Sequence, residues 1–264
     1  MNTSDISSRA DDSAAITRVT LTQWQAVDND LVVGYGDVST RPDGRLFVSI
    51  DVWQDAMFDR LAAAMLATLR RPLYTVVDEN DSELLSRWAR AGFTTGRREW
   101  EYLIPTDPGS TGLHRVAPPP DITIVPAGHA ADEPLRAVDR VIRDEVAATV
   151  GWQDMPVEIL RGPDGDTIVD RSKYVAAAQS DRYAGLLRVV QVTRLPRIGL
   201  IAVRSDQHRR GIARAMLAHT LGALHARGIT TASAEVKESN AAATALFEGI
   251  GARRVNSNLE LVLR

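Results

Sequence analysis

One offset organises this chain. Gly92 and Gly251 lie 159 residues apart, and the same step carries Val77 onto Val236, Asp81 onto Asn240 and Trp88 onto Phe247. Around each glycine the apolar residues follow the same succession of short strands and amphipathic helices. A repeated strand–helix order restricts the chain to layered α/β architectures made of two related units, because a sheet must bury its apolar faces under helices.

The element signals support that reading. In the first half, "DLVVGYGDV" and "RLFVSIDV" flank an "RPDG" turn and predict a hairpin, and Met57, Leu61, Met65 and Leu69 recur at helical spacing. A strand "LYTVVD", a helix from Asp81 to a glycine stop at Gly92, and a strand "EWEYLI" complete it. The stretch from Pro105 to Asp121 is rich in Pro, Gly, Ser and Thr and is expected to be the boundary. Beyond it come a strand "DITIVPAG", a helix "DEPLRAVDRVIRDEVAATV", a partly helical loop "GWQDMPVEILRGPDGD", and the strands "SKYVAAAQ", "YAGLLRVVQV" and "RIGLIAV". A helix from Gly211, a strand "TASAEV", a helix "SNAAATALFEGIG" and a strand "NLELVLR" follow. The expected organisation is a lead-in over residues 1–15, a first domain over 16–105, a linker over 106–120 and a second domain over 121–264.

Composition removes whole classes of chemistry. The chain has no cysteine, so disulfides, thiolate metal sites and a cysteine nucleophile are excluded. A net charge of −3 gives no chain-wide electrostatic footprint for nucleic acid, and no nucleic-acid partner is expected. No apolar run is long enough to span a bilayer and the first residues lack an apolar leader, so a cytoplasmic protein without a membrane partner is expected. His114, His129, His219 and His225 are scattered without ligand spacing, and no metal is expected.

The chemistry concentrates at "VRSDQHRRGIARAML", Val203 to Leu217. A buried-strand pattern ends there in a polar turn that opens an amphipathic helix near Gly211. Gly211 lets a ligand approach the backbone, and the first N–H groups of the helix have no internal acceptor and carry the positive end of its dipole. Such a turn can cradle a pyrophosphate, with Arg209 and Arg210 adding charge and Ala213 staying small; it can equally be a solvated helix start.

A second motif follows. The segment from Gly199 to Arg264 resembles the Gcn5-related N-acetyltransferase superfamily, and "EVKESNAAATALFEGIGA" is similar to the E-V-x-x-S-N-x-x-A-x-x-L-Y-E-x-x-G-F motif of its ribosomal-protein alanine N-acetyltransferase branch. The superfamily's other signature, V-x-x-x-x-[RQ]-x-x-G-x-[GA], falls on Val203, His208, Gly211 and Ala213, with histidine at the Arg/Gln position.

The resemblance implies a mixed-sheet α/β fold of two tandem acyl-CoA N-acyltransferase domains. It implies acetyl-CoA as co-substrate, its pantetheine arm on the backbone of Ile201, Ala202 and Val203. Its pyrophosphate would sit on the amides of His208, Arg209, Arg210, Gly211, Ile212, Ala213 and Arg214. Asn240 would touch the pantetheine or cap its helix beside Ser239. Glu235 matches the acid that takes a proton from the attacking amine; the other reading is that strand alternation turns it to solvent. Phe247 stands among the cofactor contacts where the family has a tyrosine that protonates the departing thiolate. A phenyl ring cannot do so, which leaves water or another hydroxyl, with Tyr174 and Tyr183 as candidates, to deliver the proton.

The first copy is expected to be degenerate. "FVSIDVWQDAMFD" lacks the glycine and arginines of the turn, Val76 replaces Glu235 and Asp81 replaces Asn240. Its aromatics Trp24, Trp53 and Trp88, with Trp100, are expected in cores. For the acceptor, a small molecule or a peptide amine, the loop with Trp152, Asp154 and Glu158 offers an acid beside an aromatic. The expected function is direct acetyl transfer to a primary amine by a monomer or homodimer. The alternative is a non-catalytic acetyl-CoA-binding regulatory module.

Overall fold

The computed structural model describes residues 14–41, 44–149, 169–190 and 195–264. Its elements in chain order begin with strands β1 (Ala15–Arg18), β2 (Gln23–Asp28), β3 (Leu31–Thr40) and β4 (Leu46–Val52). Helix α1 (Ala56–Leu66), β5 (Leu73–Asp78), α2 (Ser82–Arg90), β6 (Thr94–Pro105) and the one-turn α3 (Pro108–Thr111) follow. Then come β7 (Thr123–Val125), α4 (Asp132–Thr149), β8 (Tyr174–Gln179), β9 (Arg182–Val190) and β10 (Arg197–Val203). The chain ends with α5 (Ile212–Ala226), β11 (Thr231–Lys237), α6 (Ala241–Glu248) and β12 (Arg253–Leu263). The expected loop with Trp152, Asp154 and Glu158 lies outside the described residues.

The chain forms two compact units, Met1–Arg98 with Asn258–Arg264, and Glu99–Ser257. The expected boundary between Pro105 and Asp121 therefore needs correcting. The chain changes unit inside β6, between Arg98 and Glu99, and returns inside β12, between Ser257 and Asn258. The reason is strand pairing: Glu99–Pro105 of β6 pairs antiparallel with β11, whereas Asn258–Leu263 of β12 pairs antiparallel with β5. Each half of the sequence gives its last strand to the other unit.

In the first unit β1 to β4 form an antiparallel meander, and α1 carries the chain over to β5, which runs parallel to β4. Strands β1 and β2 were not among the expected elements. The core is aromatic: Trp88 of α2 meets Phe58 of α1 and Phe93 edge-on, at centroid distances of 5.0 and 4.8 Å. Met57, Leu61 and Met65 bury the inner stripe of α1, each such side chain contributing about 1.5–3 kcal/mol. Trp24 joins this core, but Trp53 is 66% exposed, its ring only edge-on to the half-exposed Tyr35.

In the second unit the strand order is β6–β11–β10–β9–β8–β7, and β10 with β11 is its parallel pair. Helices α5 and α6 cover one face, where Met216, Leu217, Leu221, Phe247 and Ile250 share a cluster with Tyr102, Ile104, Ala232, Ala234 and Val236. Trp100 lies partly buried at its edge. Helix α4 covers the opposite face with Leu135, Val138 and Ile142 against Tyr174, Ala176 and Leu186.

The 159-residue step is reproduced in hydrogen bonds. Asp81 Oδ1 accepts from Leu84 N–H, and Asn240 Oδ1 from Ala243 N–H, at 2.9 and 3.0 Å. At the other end of each helix, Gly92 and Phe93 donate to Ala89 and Trp88, while Gly251 and Ala252 donate to Glu248 and Phe247. Gly92 and Gly251 have φ of 94° and 79°, the left-handed conformation that ends a helix most readily at glycine.

Glu260 of β12 anchors the returning strand in the first unit. Its carboxylate is 8% exposed and meets Arg45 Nη1 at 3.0 Å and Arg97 Nη2 at 2.9 Å. Glu260→Ala removes a shared, nearly buried carboxylate from two largely buried guanidiniums. Urea unfolding of this unit is expected to show a loss of about 3–5 kcal/mol; a loss under about 1 kcal/mol would mean that the strand is held by its ladder alone.

Candidate functional site

The turn from Val203 to α5 is built by its own side chains. His208 folds back so that its Nε2 lies 2.7 Å from the Val203 carbonyl oxygen, and Arg204 clasps Asp206 through Nε and Nη2 at 3.1 and 3.3 Å. Arg209 has φ of 58° and Gly211 φ of 83°, two left-handed residues that turn the chain sharply into the helix. Gly211 occupies the N-cap position, where no side chain supplies an acceptor, and a Cβ built there would meet nothing within 4 Å. The glycine thus answers to backbone conformation and leaves open space above it.

Backbone N–H groups converge on that space. Those of Arg209, Arg210, Gly211, Ile212, Ala213 and Arg214 have no acceptor among the described residues, whereas Gln207, His208 and Ala215 donate to Arg204, Ser205 and Gly211. A run of free amides at a helix N-terminus is suited to bind an anion. Ile212 is buried beneath it, Ala213 is half-buried, and Arg209, Arg210 and Arg214 are exposed.

Arg210 is already engaged. Its Nη2 donates to Asp121 Oδ1 at 2.5 Å and its Nη1 to Gln207 Oε1. Asp121 is pulled down to about 2, first by Arg210 and then by the amide of Gln179.

The strand that feeds the turn parts from its neighbour. Between β10 and β11 only Arg197 with Ser233 and Ile198 with Ala234 are paired. Beyond them β10 continues on β9 and β11 on β6, so Ile201–Val203 and Glu235–Val236 have no partner strand across the divergence, although the Val203 carbonyl oxygen lies 2.7 Å from His208 Nε2. A bulge between Ile198 and Leu200 marks the divergence. Gly199 sits in it, where a Cβ would come within 3.0 Å of Val190 Cγ2 and 3.2 Å of Arg188 Nη1. An isolated glycine within the strand pattern "RIGLIAV" is the sequence signal for that bulge.

Glu235 is the first β11 residue past the last pair. It is 45% exposed and accepts from Arg197 Nη1 at 2.7 Å. Strand alternation thus turns it out of the apolar layer that holds Ala234 and Val236. Glu101 stands directly across from it on β6. Arg197 and Glu101, invisible as site residues in the sequence, frame the carboxylate.

Other expected residues stand elsewhere. Asn240 spends its Oδ1 on the helix cap, and Phe247 is 2% exposed with its ring stacked on Tyr102 at 6.0 Å. Tyr183 accepts a hydrogen bond from Ala131 N–H at 2.9 Å, and Tyr174 lies under α4 on β8, where burial raises its pKa. Neither candidate acid lies on the two strands that diverge. Trp152 and Asp154, proposed to hold the acceptor, fall outside the described residues. Among the described residues no group of three or more potential metal ligands occurs, and no helix is long and apolar enough to cross a membrane.

Comparison with known proteins gives this geometry a context. Over 51 residues the chain is 49% identical to the [ribosomal protein bS18]-alanine N-acetyltransferase of Escherichia coli (strain K12), a stretch that is 19% of this chain and 34% of that enzyme. The enzyme of Salmonella typhimurium (strain LT2) matches to the same extent. The chain therefore spans about a third of the length of these curated relatives.

Among solved structures, a GCN5-related N-acetyltransferase from Sphaerobacter thermophilus superposes with a TM-score of 0.61 and 17% identity, covering 94% of this chain and 82% of the other. A tandem GNAT protein from the clavulanic acid biosynthesis pathway gives 0.65 and 14%, covering 96% and 83%. At these identities the likeness is one of fold. Residues 139–252, which hold the open cradle and the diverging strands, match the acetyltransferase (GNAT) family.

Proposed function

We propose that the chain is an acetyl-CoA-dependent N-acetyltransferase whose second unit passes an acetyl group directly to a primary amine of a small molecule or a protein N-terminus. One observation carries the reading: the edge of Ile201–Val203 that β11 leaves unpaired and the free amides of Arg209–Arg214 belong to one strand–turn–helix segment. An extended ligand bearing amide groups at one end and a pyrophosphate at the other satisfies both. The match of residues 139–252 to the acetyltransferase family supports the same ligand.

In this reading the amides and the exposed Arg209 and Arg214 hold the diphosphate, and the β10 edge pairs with the pantetheine amides. The thioester then lies in the divergence beside Glu235. Glu235, oriented by Arg197, takes a proton from the acceptor ammonium or through a water, and the free amine attacks the thioester carbonyl. The nitrogen gives its second proton to water as the C–S bond breaks and the amide C–N bond is completed, and the thiolate leaves without an acyl-enzyme.

Phe247 supplies no proton to that thiolate. A thiol of reference pKa about 8.5 lies roughly 1.5 units above neutral pH, which makes its protonation worth only about 2 kcal/mol, and solvent can deliver it. The first unit fits the same scheme as a degenerate copy. It keeps the helix caps at the 159-residue step, but its turn leads through Asp55, at φ of −56°, into α1 without a left-handed glycine.

The cradle is tested with Gly211→Glu, which places a carboxylate among the amides. Acetyl-CoA is expected to raise the Tm of the wild type and not of the variant. With thiol release followed across an amine panel, loss of the shift together with activity supports the enzyme. A shift without release from any amine favours a binding module, and no shift in the wild type overturns the reading.

Glu235→Gln tests the base. Its kcat is expected to fall by about 10²–10⁴-fold, with the KM for acetyl-CoA little changed. A kcat within about threefold of the wild type would remove Glu235 from proton transfer.

A further inference from the structure

Three charged side chains are buried under α4: Asp139, Arg143 and Arg188, at 3, 5 and 7% exposure. Asp139 is spent on Arg143 of its own helix, accepting from Nε at 2.6 Å and from Nη2 at 3.0 Å. Arg188, on β9 beside Tyr174 of β8, has no hydrogen bond or ion pair among the described residues, and its Nη1 is sealed from solvent without an acceptor. All three charges act on the Tyr174 hydroxyl, Asp139 raising its pKa and the two arginines lowering it. The Arg188 guanidinium thus stands in an apolar layer without an ion-pair partner among the described residues. A buried cation left in that state destabilises the fold, and an anion is the partner that offsets it best.

The position of Arg188 says which anion. Its Nη1 lies 3.2 Å from the place of a Gly199 Cβ, at the bulge where β10 leaves β11. The neighbours Leu187, Ile198, Ala234 and Val236 all belong to the cluster under α5 and α6, so by alternation Arg188 and Glu235 both point to the opposite face. β9 and β11 flank β10, which puts the two residues at least two strand spacings apart, about 10 Å or more between backbones where β10 and β11 diverge. A cation at one end and a carboxylate at the other, with the site of acyl transfer beside the second, match a zwitterion.

We propose that Arg188 binds a carboxylate carried by the acceptor, so that the acceptor is an amino-acid-like molecule with its amine directed to Glu235. The planar guanidinium suits a carboxylate bidentately, and the buried setting makes it select against amines lacking one. The direction of the amine rests on the acetyltransferase reading above; the anion site at Arg188 does not.

The test uses the full chain and matched acceptors with and without a carboxylate: γ-aminobutyrate against butylamine, lysine against cadaverine. A short peptide with an acidic second residue, against its amidated counterpart, tells a free amino acid from a protein N-terminus as the source of the carboxylate. Wild type is expected to favour the carboxylate member by at least about 30-fold in kcat/KM. In Arg188→Met the ratio falls to within about threefold, and Arg188→Lys lies between. The free Arg188→Met protein is expected to melt higher than wild type, because an uncompensated buried charge has gone.

A wild-type ratio near one, a preference that survives Arg188→Met, or a free Arg188→Met protein that melts several degrees lower would each overturn the proposal, the last by making the guanidinium structural. Should acetyl-CoA fail to stabilise the wild type, the acetyltransferase reading falls. The anion site is then read alone, as stabilisation by γ-aminobutyrate and not butylamine, present in the wild type and absent from Arg188→Met.

Discussion

Two backbone pairs, Arg197 with Ser233 and Ile198 with Ala234, hold β10 to β11, and everything that gives the second unit its chemistry follows from their being the last. Open N–H and C=O groups between neighbouring strands are normally closed by the ladder, since unpaired backbone out of reach of water is costly. Here the bulge at Gly199 tilts β10 away before the ladder can continue, and apolar packing on α5 holds it there through Ile201 and Val203. Past a short turn whose own amides are mostly bonded, the chain reaches the left-handed residues Arg209 and Gly211 and the free amides beyond.

The first unit separates the architecture from the chemistry. Its parallel pair is just as short, Leu46 with Leu73 and Phe47 with Tyr74, and its α2 carries the caps of α6 at the 159-residue step. Diverging strands therefore belong to the shared plan of the two units and do not by themselves make a site. What differs is the turn. Asp55 caps α1 in right-handed conformation and Asp59 follows in its first turn, so negative side chains stand where an anion would need free amides.

Local signals in the sequence carried most of the fold. Glycine stops at Gly92 and Gly251, the caps Asp81 and Asn240, and the helical spacing of Met57, Leu61 and Met65 all act within a few residues, and each reappears as a hydrogen bond or a buried stripe. The unit boundary was not visible, because the Pro- and Gly-rich stretch after Pro105 marks a loop, while the crossing between units depends on which strands Glu99–Pro105 and Asn258–Leu263 join far away in sequence. The site divides in the same way. The cradle is contiguous and could be read from its residues, whereas Arg197 beside Glu235 and Arg188 beside Gly199 meet only across strands.

Charge at the cradle orders these contributions. Arg210 looks like the natural phosphate ligand, yet its guanidinium is held by Asp121 and Gln207. Because the folded pKa of Asp121 lies below its usual value, at about 2, the stabilisation from this pair is present above the ordinary carboxylate range and fades only as pH falls toward 2. At any pH where an amine acceptor is reactive the pair is intact, and a phosphate has to compete with a carboxylate for Arg210. The amides of Arg209–Arg214 face no such competitor, and their direction is fixed by the helix. In the proposed reading, recognition of the diphosphate therefore rests on backbone placed by Gly211, with Arg210 steering approach. On this account the glycine, and not the arginine beside it, is the residue the cradle cannot lose.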